Sequence, residues 1–227
     1  MKNIDVFEAP DIEDISDSSL ADIAWPEDIR EYAFRFKNPI KTGTINLLEQ
    51  RLSSCYMAKV GFVAHKDKIP DMKIDPEQDH IRWKAFSNID TLRAETKRTL
   101  LEKLYYPNTQ YLDNSFAKDI DDYAKKYVTI DGSRRLMKSN EAIGIVTVTN
   151  LHDCSGHALD HLGWILIDGK LSDDERNTAH AKLAAWLKTY AAGTIQAFIH
   201  HFNLRSQKFF SRLGFEPVCL HVFKPNK

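Results

Sequence analysis

The sequence predicts an α+β protein: a mixed central β-sheet of α/β type flanked by helices, preceded by an N-terminal extension. Three observations carry this. The chain has 227 residues, 43% hydrophobic and 28% charged, a composition that builds a core rather than a disordered coil. From Ile81 onward the apolar pattern switches repeatedly between period two and period 3.6, giving the order strand, two helices, two or three strands, helix, strand, helix, strand. That order is what a sheet with helices on its faces requires. Upstream the pattern is weaker, and the polar stretch 65–80, broken by Pro70 and Pro76, reads as a join between an extension (1–80) and a core domain (81–227).

Each element has a local reason. In the extension, 19–36 has scattered apolar positions around Pro26, 44–52 has weak helical spacing, and 56–64 alternates like a strand. Residues 81–86 read as a strand, and Asn88 and Asp90 offer a cap for a helix reaching Tyr105. A second helix, capped by Asn114 or Ser115, is expected to reach Tyr127. Strands follow over 134–138, 142–149 and 158–167, the last two separated by a turn in which Asp153, Ser155 and Gly156 are turn formers. Ser172 and Glu175 match a capping box, after which Ala179, Leu183, Trp186, Leu187 and Tyr190 keep helical spacing. This helix begins either at Asp173, under the box, or near Thr178, with 173–175 as loop. Residues 194–202 then read as a strand, Asn203 caps a helix over 204–213 that Gly214 stops, and 215–223 is a last strand.

Charge and cysteine usage exclude several classes. Lys plus Arg total 31 against 32 Asp plus Glu, so no broad positive field draws the chain to nucleic acid. The start of the chain carries Asp5, Glu8, Asp11, Glu13, Asp14 and Asp17 against Lys2 alone, unlike a signal peptide. Apolar runs such as 162–167 are far shorter than the roughly 20 residues of a membrane span. A cytoplasmic protein without nucleic-acid or membrane partners is therefore expected. Cys55, Cys154 and Cys219 are widely spaced and odd in number, which reads as free thiols. His152, Asp153, Cys154, His157, Asp160 and His161 cluster in sequence but match no zinc spacing, and no metal is expected.

The run Asn203-Leu-Arg-Ser-Gln-Lys-Phe-Phe-Ser-Arg-Leu-Gly-Phe215, taken with the element order from Ile81, resembles the GNAT superfamily of N-acetyltransferases over residues 81–227. Leu162-Gly-Trp-Ile-Leu-Ile167 is similar to that family's central strand. The resemblance implies the GNAT acyl-CoA N-acyltransferase fold, with acetyl-CoA as co-substrate and a small-molecule or peptide amine that attacks the thioester directly in a ternary complex. It also implies a site. Two neighbouring parallel strands splay apart, and the pantetheine arm satisfies the peptide groups left open, as a strand would.

On that resemblance, the backbone of Ile165, Leu166 and Ile167 meets pantetheine. Arg176, Asn177, Thr178, Ala179, His180 and Ala181 stand at the family's pyrophosphate loop, and Asn203 and Ser206 meet the arm. Phe210 falls where many relatives carry a Tyr that protonates the leaving thiolate, but it has no O–H. The loop keeps the family's Arg and final small residue, with Ala179 in place of Gly. Two residues are candidates for the base. Asp160 has the positional match and His161 the better intrinsic pKa, and strand alternation points them to opposite faces. Arg134, Arg135 and Lys138 form a local basic patch suited to an acidic group such as the 3′-phosphate of CoA. The alternative is a catalytically weak or inactive GNAT-like module that binds CoA or a protein partner. An edge strand near the carboxyl terminus also offers a surface for a homodimer.

Overall fold

In the computed structural model the described residues form nine strands that hydrogen-bond into one mixed sheet. The structure describes residues 5–8, 31–35, 57–103, 125, 128–149, 160–167, 171–191, 193–200 and 203–223. In chain order the elements are β1 (Asp5–Glu8), β2 (Glu31–Arg35), β3 (Met57–His65), β4 (Ile81–Ala85), α1 (Ile89–Lys103), β5 (Val128–Lys138), β6 (Glu141–Thr149), β7 (Asp160–Ile167), α2 (Asp173–Tyr190), β8 (Thr194–His200), α3 (Leu204–Arg212) and β9 (Glu216–Phe223). The order across the sheet is β1-β2-β9-β3-β8-β7-β6-β5-β4. Two pairs are parallel, β1 with β2 and β7 with β8, and the other pairs are antiparallel. A parallel pair needs a crossover rather than a hairpin, and α2 supplies it between β7 and β8.

The faces of the sheet are divided by alternation. Val60, Phe62, Val148, Leu162, Ile195, Ala197 and Ile199 face Leu183, Ala184 and Leu187 of α2 and Phe210 of α3, forming the main core. On the other face, Phe86 and Leu92 pack with Val128, Ile145, Trp164 and Leu166 under α1. The caps are those the sequence offers: Asn88 Oδ1 accepts from Thr91 N at 2.8 Å, and Asn203 accepts from Ser206 N. Gly214 ends α3 at φ +80°, and a Cβ there would lie 2.4 Å from the carbonyl oxygen of Lys68.

The expected division at residue 80 does not separate the sheet. Strand β3, from the extension side, lies inside it between β8 and β9, pairing Lys59 to His65 with His200 to Thr194 and Met57 to Val63 with Phe223 to Glu216. The join itself is packed: Ile69 is buried in the main core and Lys188 of α2 forms an ion pair with Asp71. Strands β1 and β2 have no counterpart in the sequence reading, whose weak patterning there gave no element. The helix expected to end at Tyr127 and the turn carrying His152, Asp153, Cys154 and His157 lie outside the described residues. Cys219 is a buried free thiol, and no described helix is long and apolar enough to cross a membrane.

Candidate functional site: an open wedge between two parallel strands

β7 and β8 pair in parallel over three rungs, Asp160 with Ile195, His161 with Gln196 and Leu162 with Ala197, and then part. Past that point β7 stays paired with β6 as far as Ile167, and β8 stays paired with β3 as far as His200. Among the described residues no strand lies between them, so 163–167 and 198–200 face each other without pairing to each other as strands. β7 runs on for five residues past the last rung, roughly 16 Å at about 3.3 Å each.

The cause of the parting is a β-bulge. The β6/β7 register shifts between Val146/Ile165 and Val148/Leu162, so β7 carries one extra residue at Gly163 and Trp164. The Trp164 N–H is caught by Thr147 Oγ1 at 2.8 Å, replacing the ladder bond that the bulge removes. Gly163 lies so close to β6 that a Cβ would sit 2.6 Å from Thr147 Oγ1 and 2.8 Å from Thr149 Cγ2. Bulges bend the strand that bears them. Here the bend begins one residue after the last β7/β8 rung.

At the closed end of the wedge a row of polar side chains crosses the face opposite α2 and α3. His161, 3% exposed, shares a 2.6 Å hydrogen bond between Nδ1 and Thr149 Oγ1, and its ring lies 5.3 Å from that of Phe198. Gln196 is directly across from His161 and is also buried, at 4% exposed. Of the two base candidates, His161 is thus held at the throat; Asp160 begins β7, and its side chain lies outside the description.

The helix ends flanking the wedge differ from expectation. α2 begins at Asp173, with Ser172 Oγ accepting from Glu175 N and Glu175 Oε2 accepting from Ser172 N. This is the capping-box start, and it corrects the reading of 176–181 as a phosphate loop. Arg176 N already donates to Ser172 O at 2.9 Å, and from there on the N–H groups of Asn177, Thr178, Ala179, His180 and Ala181 belong to the helix ladder. Thr178, Ala179 and Ala181 face the core. The Arg176 guanidinium turns back onto Asp173 Oδ1 at 3.1 Å and Leu171 O at 2.8 Å. Glu175 in turn binds Lys138 at 2.8 Å and His80 at 3.4 Å. Lys138 first, then the Ser172 N–H and His80, hold its carboxyl down at about 2, against the opposing effect of desolvation.

His180 is pushed down to about 4 by burial, with Arg176, Arg212 and Arg205 adding repulsion, and its ring lies 4.6 Å from that of Phe209. It is a neutral packing residue. Phe210 is likewise core, 6% exposed, its ring 5.0 Å from Phe215, 5.4 Å from Phe209 and 6.4 Å from Phe62. The basic patch is spent internally as well: Arg134 stacks over Trp186, Arg135 pairs with Glu95 and Lys138 with Glu175. Asn203 Oδ1 is engaged as a cap by Ser206 N at 3.1 Å.

No protein-family model and no curated protein matches the chain. Among solved structures it is similar to a GCN5-related N-acetyltransferase from Kribbella flavida, with 8% identity and a TM-score of 0.47, covering 87% of this chain and 68% of that one. It is also similar to an acetyltransferase from the GNAT family from Colwellia psychrerythraea, with 12% identity and a TM-score of 0.48, covering 87% and 66%. A Drosophila protein shares 16% identity at a TM-score of 0.45 over 87% of this chain, which spans 62% of that protein's length. The described elements from Ile81 follow the order the sequence resemblance anticipated, as does the parallel central pair that splays apart. Ile165, Leu166 and Ile167 lie on β7 past its last rung with β8, whereas the residues expected at the phosphate end lie on a helix that caps itself. Gln196, Thr147, Thr149 and Gly163 were not singled out from the sequence; the signal for Gln196 is a polar residue inside the apolar run 195–199.

Proposed function

We propose that the protein transfers an acyl group from a pantetheine thioester, acetyl-CoA by default, to an amine. The observation that carries this is the pairing of β7 with β8, which stops after three rungs and leaves two strand edges facing each other. A pantetheine arm has two amide groups and enters such a gap as an added strand, its N–H and C=O groups meeting those of 165–167. The arm then directs the thioester toward the throat, where His161 stands. The amine nitrogen attacks the thioester carbon, a C–N bond forms and the C–S bond breaks. One amine proton passes to the His161 imidazole and on to the departing sulfur, giving an amide and a free thiol. With Nδ1–H donating to Thr149 Oγ1, Nε2 is the nitrogen left to take the proton. Positioning two bound reactants in this way supplies much of the rate.

The self-capped start of α2, with Asp173 and Asp174 beside it, favours donor recognition through the arm rather than through the pyrophosphate. A second reading, a module that binds the thioester without efficient turnover, draws on Phe210, whose position lacks the O–H of a thiolate donor. Thiol release from acetyl-CoA with a panel of amines separates the two. Transfer is expected in the native chain and, in His161→Gln, a rate lower by about 10²-fold or more. An unchanged rate in that variant would remove His161 from the base role, and no release above background with any amine would leave the second reading.

A further inference from the structure

Helix α3 carries its cations on one side. Arg205, Lys208 and Arg212 are exposed and stand at i, i+3 and i+7, which lines them along one face over roughly 10 Å. The helix has no Asp or Glu, and among the described residues none of the three has a hydrogen-bond or salt-bridge partner. The cations of α2 differ: Arg176 pairs with Asp173, Lys182 with Asp79 and Lys188 with Asp71. The field of the α3 face reaches α2 as well, because Arg212 and Arg205 add to burial and Arg176 in pushing the His180 imidazole down. Like charges three and four residues apart on a helix repel one another, so this face gains from a negative partner.

We infer that this face of α3 binds the chain's own acidic stretch, residues 9–30, which lies outside the described residues. The stretch holds seven acids, with Asp11, Glu13, Asp14 and Asp17 in its first half, against one base, Arg30. It joins β1, ending at Glu8, to β2, beginning at Glu31, and these strands are parallel. A parallel pair is joined by a crossover on one face of the sheet, and crossovers share one hand. β1 and β2 run opposite to β7 and β8, and the step from β1 to β2 crosses the sheet in the opposite sense to the step from β7 to β8. The two reversals together keep the face the same, so the hand rule puts this crossover on the side that bears α2 and α3. Only β9 separates β2 from β3, whose Phe62 packs against Phe210 of α3. Two strand spacings are about 10 Å, well within the reach of such a length of chain. The inference does not rest on the acyl-transfer reading.

The test is zero-length carbodiimide coupling of the full chain at low salt, read by peptide mass spectrometry on an equal mixture of isotope-labelled and unlabelled protein. Lys208 is expected to couple to carboxyl groups of residues 9–30 within one chain, at least about tenfold more than the exposed Lys84 of edge strand β4 does. The yield is expected to fall several-fold in roughly 0.5 M salt, which screens exposed pairs. In the double variant Arg205→Glu, Arg212→Glu the coupling should fall at least about tenfold with little change in melting temperature, since both side chains are exposed. Coupling of Lys208 to this stretch only between labelled and unlabelled chains overturns the inference and makes a second copy the occupant. Coupling no greater than that of Lys84, or undiminished by the two reversals, overturns it outright. Should the double variant not fold, the salt series on the native chain decides, and a yield that salt leaves unchanged overturns it as well.

Discussion

His180 and Glu175 belong to the same helix, and their pKa values are depressed for different reasons, which makes acid sensitivity a residue-scale property. His180 is buried neutral and falls to about 4, whereas its unfolded value is near 6.5. Below that value the unfolded chain binds a proton that the folded chain refuses, so this contribution is present above pH 6.5 and lost as pH falls toward 4. Glu175 is held as a carboxylate by Lys138, Ser172 and His80, and its contribution is present above about pH 4.5 and lost as pH falls toward 2. Thermal melts should therefore fall in two stages on acidification. In His180→Gln the decline between pH 6.5 and 4 should flatten while the lower one remains; a decline of unchanged size would show that His180 is not the group responsible. Phe210 shows the limit of alignment by motif. Its place in the run ending Leu213-Gly214-Phe215 is where a thiolate donor is expected, yet the same spacing seats the ring against Phe62 and Phe215 in the core.

At the scale of elements, the wedge depends on the bulge in β7. Gly163 is the residue that permits it, because its missing Cβ would meet Thr147 Oγ1, an atom already fixed by the Trp164 N–H. Gly163→Ala is expected to cost about 1–3 kcal/mol in denaturant unfolding, as over-packing does, and to lower acyl transfer more than this loss of folded protein explains. Stability and activity both unchanged would place the opening of β7 and β8 elsewhere. The helix ends were legible in sequence because capping is local: Asn88, Asn203 and the Ser172/Glu175 box are each complete within four residues. The start of α2 was legible only as two alternatives. What decides for Asp173 is the addition of Lys138 and His80 to Glu175, which come from the end of β5 and the turn before β4, both distant in sequence.

At the scale of the whole molecule, the sheet incorporates a strand that the sequence had set apart. The pattern of 56–64 marked β3 as a strand, but not that its partners are β8 and β9, because register between distant segments is written in packing rather than in local propensity. The same holds for the site. His161 and Gln196 are made neighbours by the crossover through α2, and no local motif announces such a pair. The parting of the two parallel strands, by contrast, was anticipated through the resemblance of Leu162-Gly-Trp-Ile-Leu-Ile167 to a central strand, whereas the bulge at Gly163 was not read from the sequence.

The wedge is the centre of the functional reading, and calorimetric titration with S-acetylpantetheine beside acetyl-CoA tests it most directly. Both ligands are expected to bind, with affinities within about tenfold of each other, since a self-capped α2 leaves the phosphates little to gain. Binding of acetyl-CoA with none of S-acetylpantetheine at millimolar concentration would contradict this, by placing recognition in the nucleotide and phosphates rather than between β7 and β8. Binding of neither would remove the wedge as a thioester site.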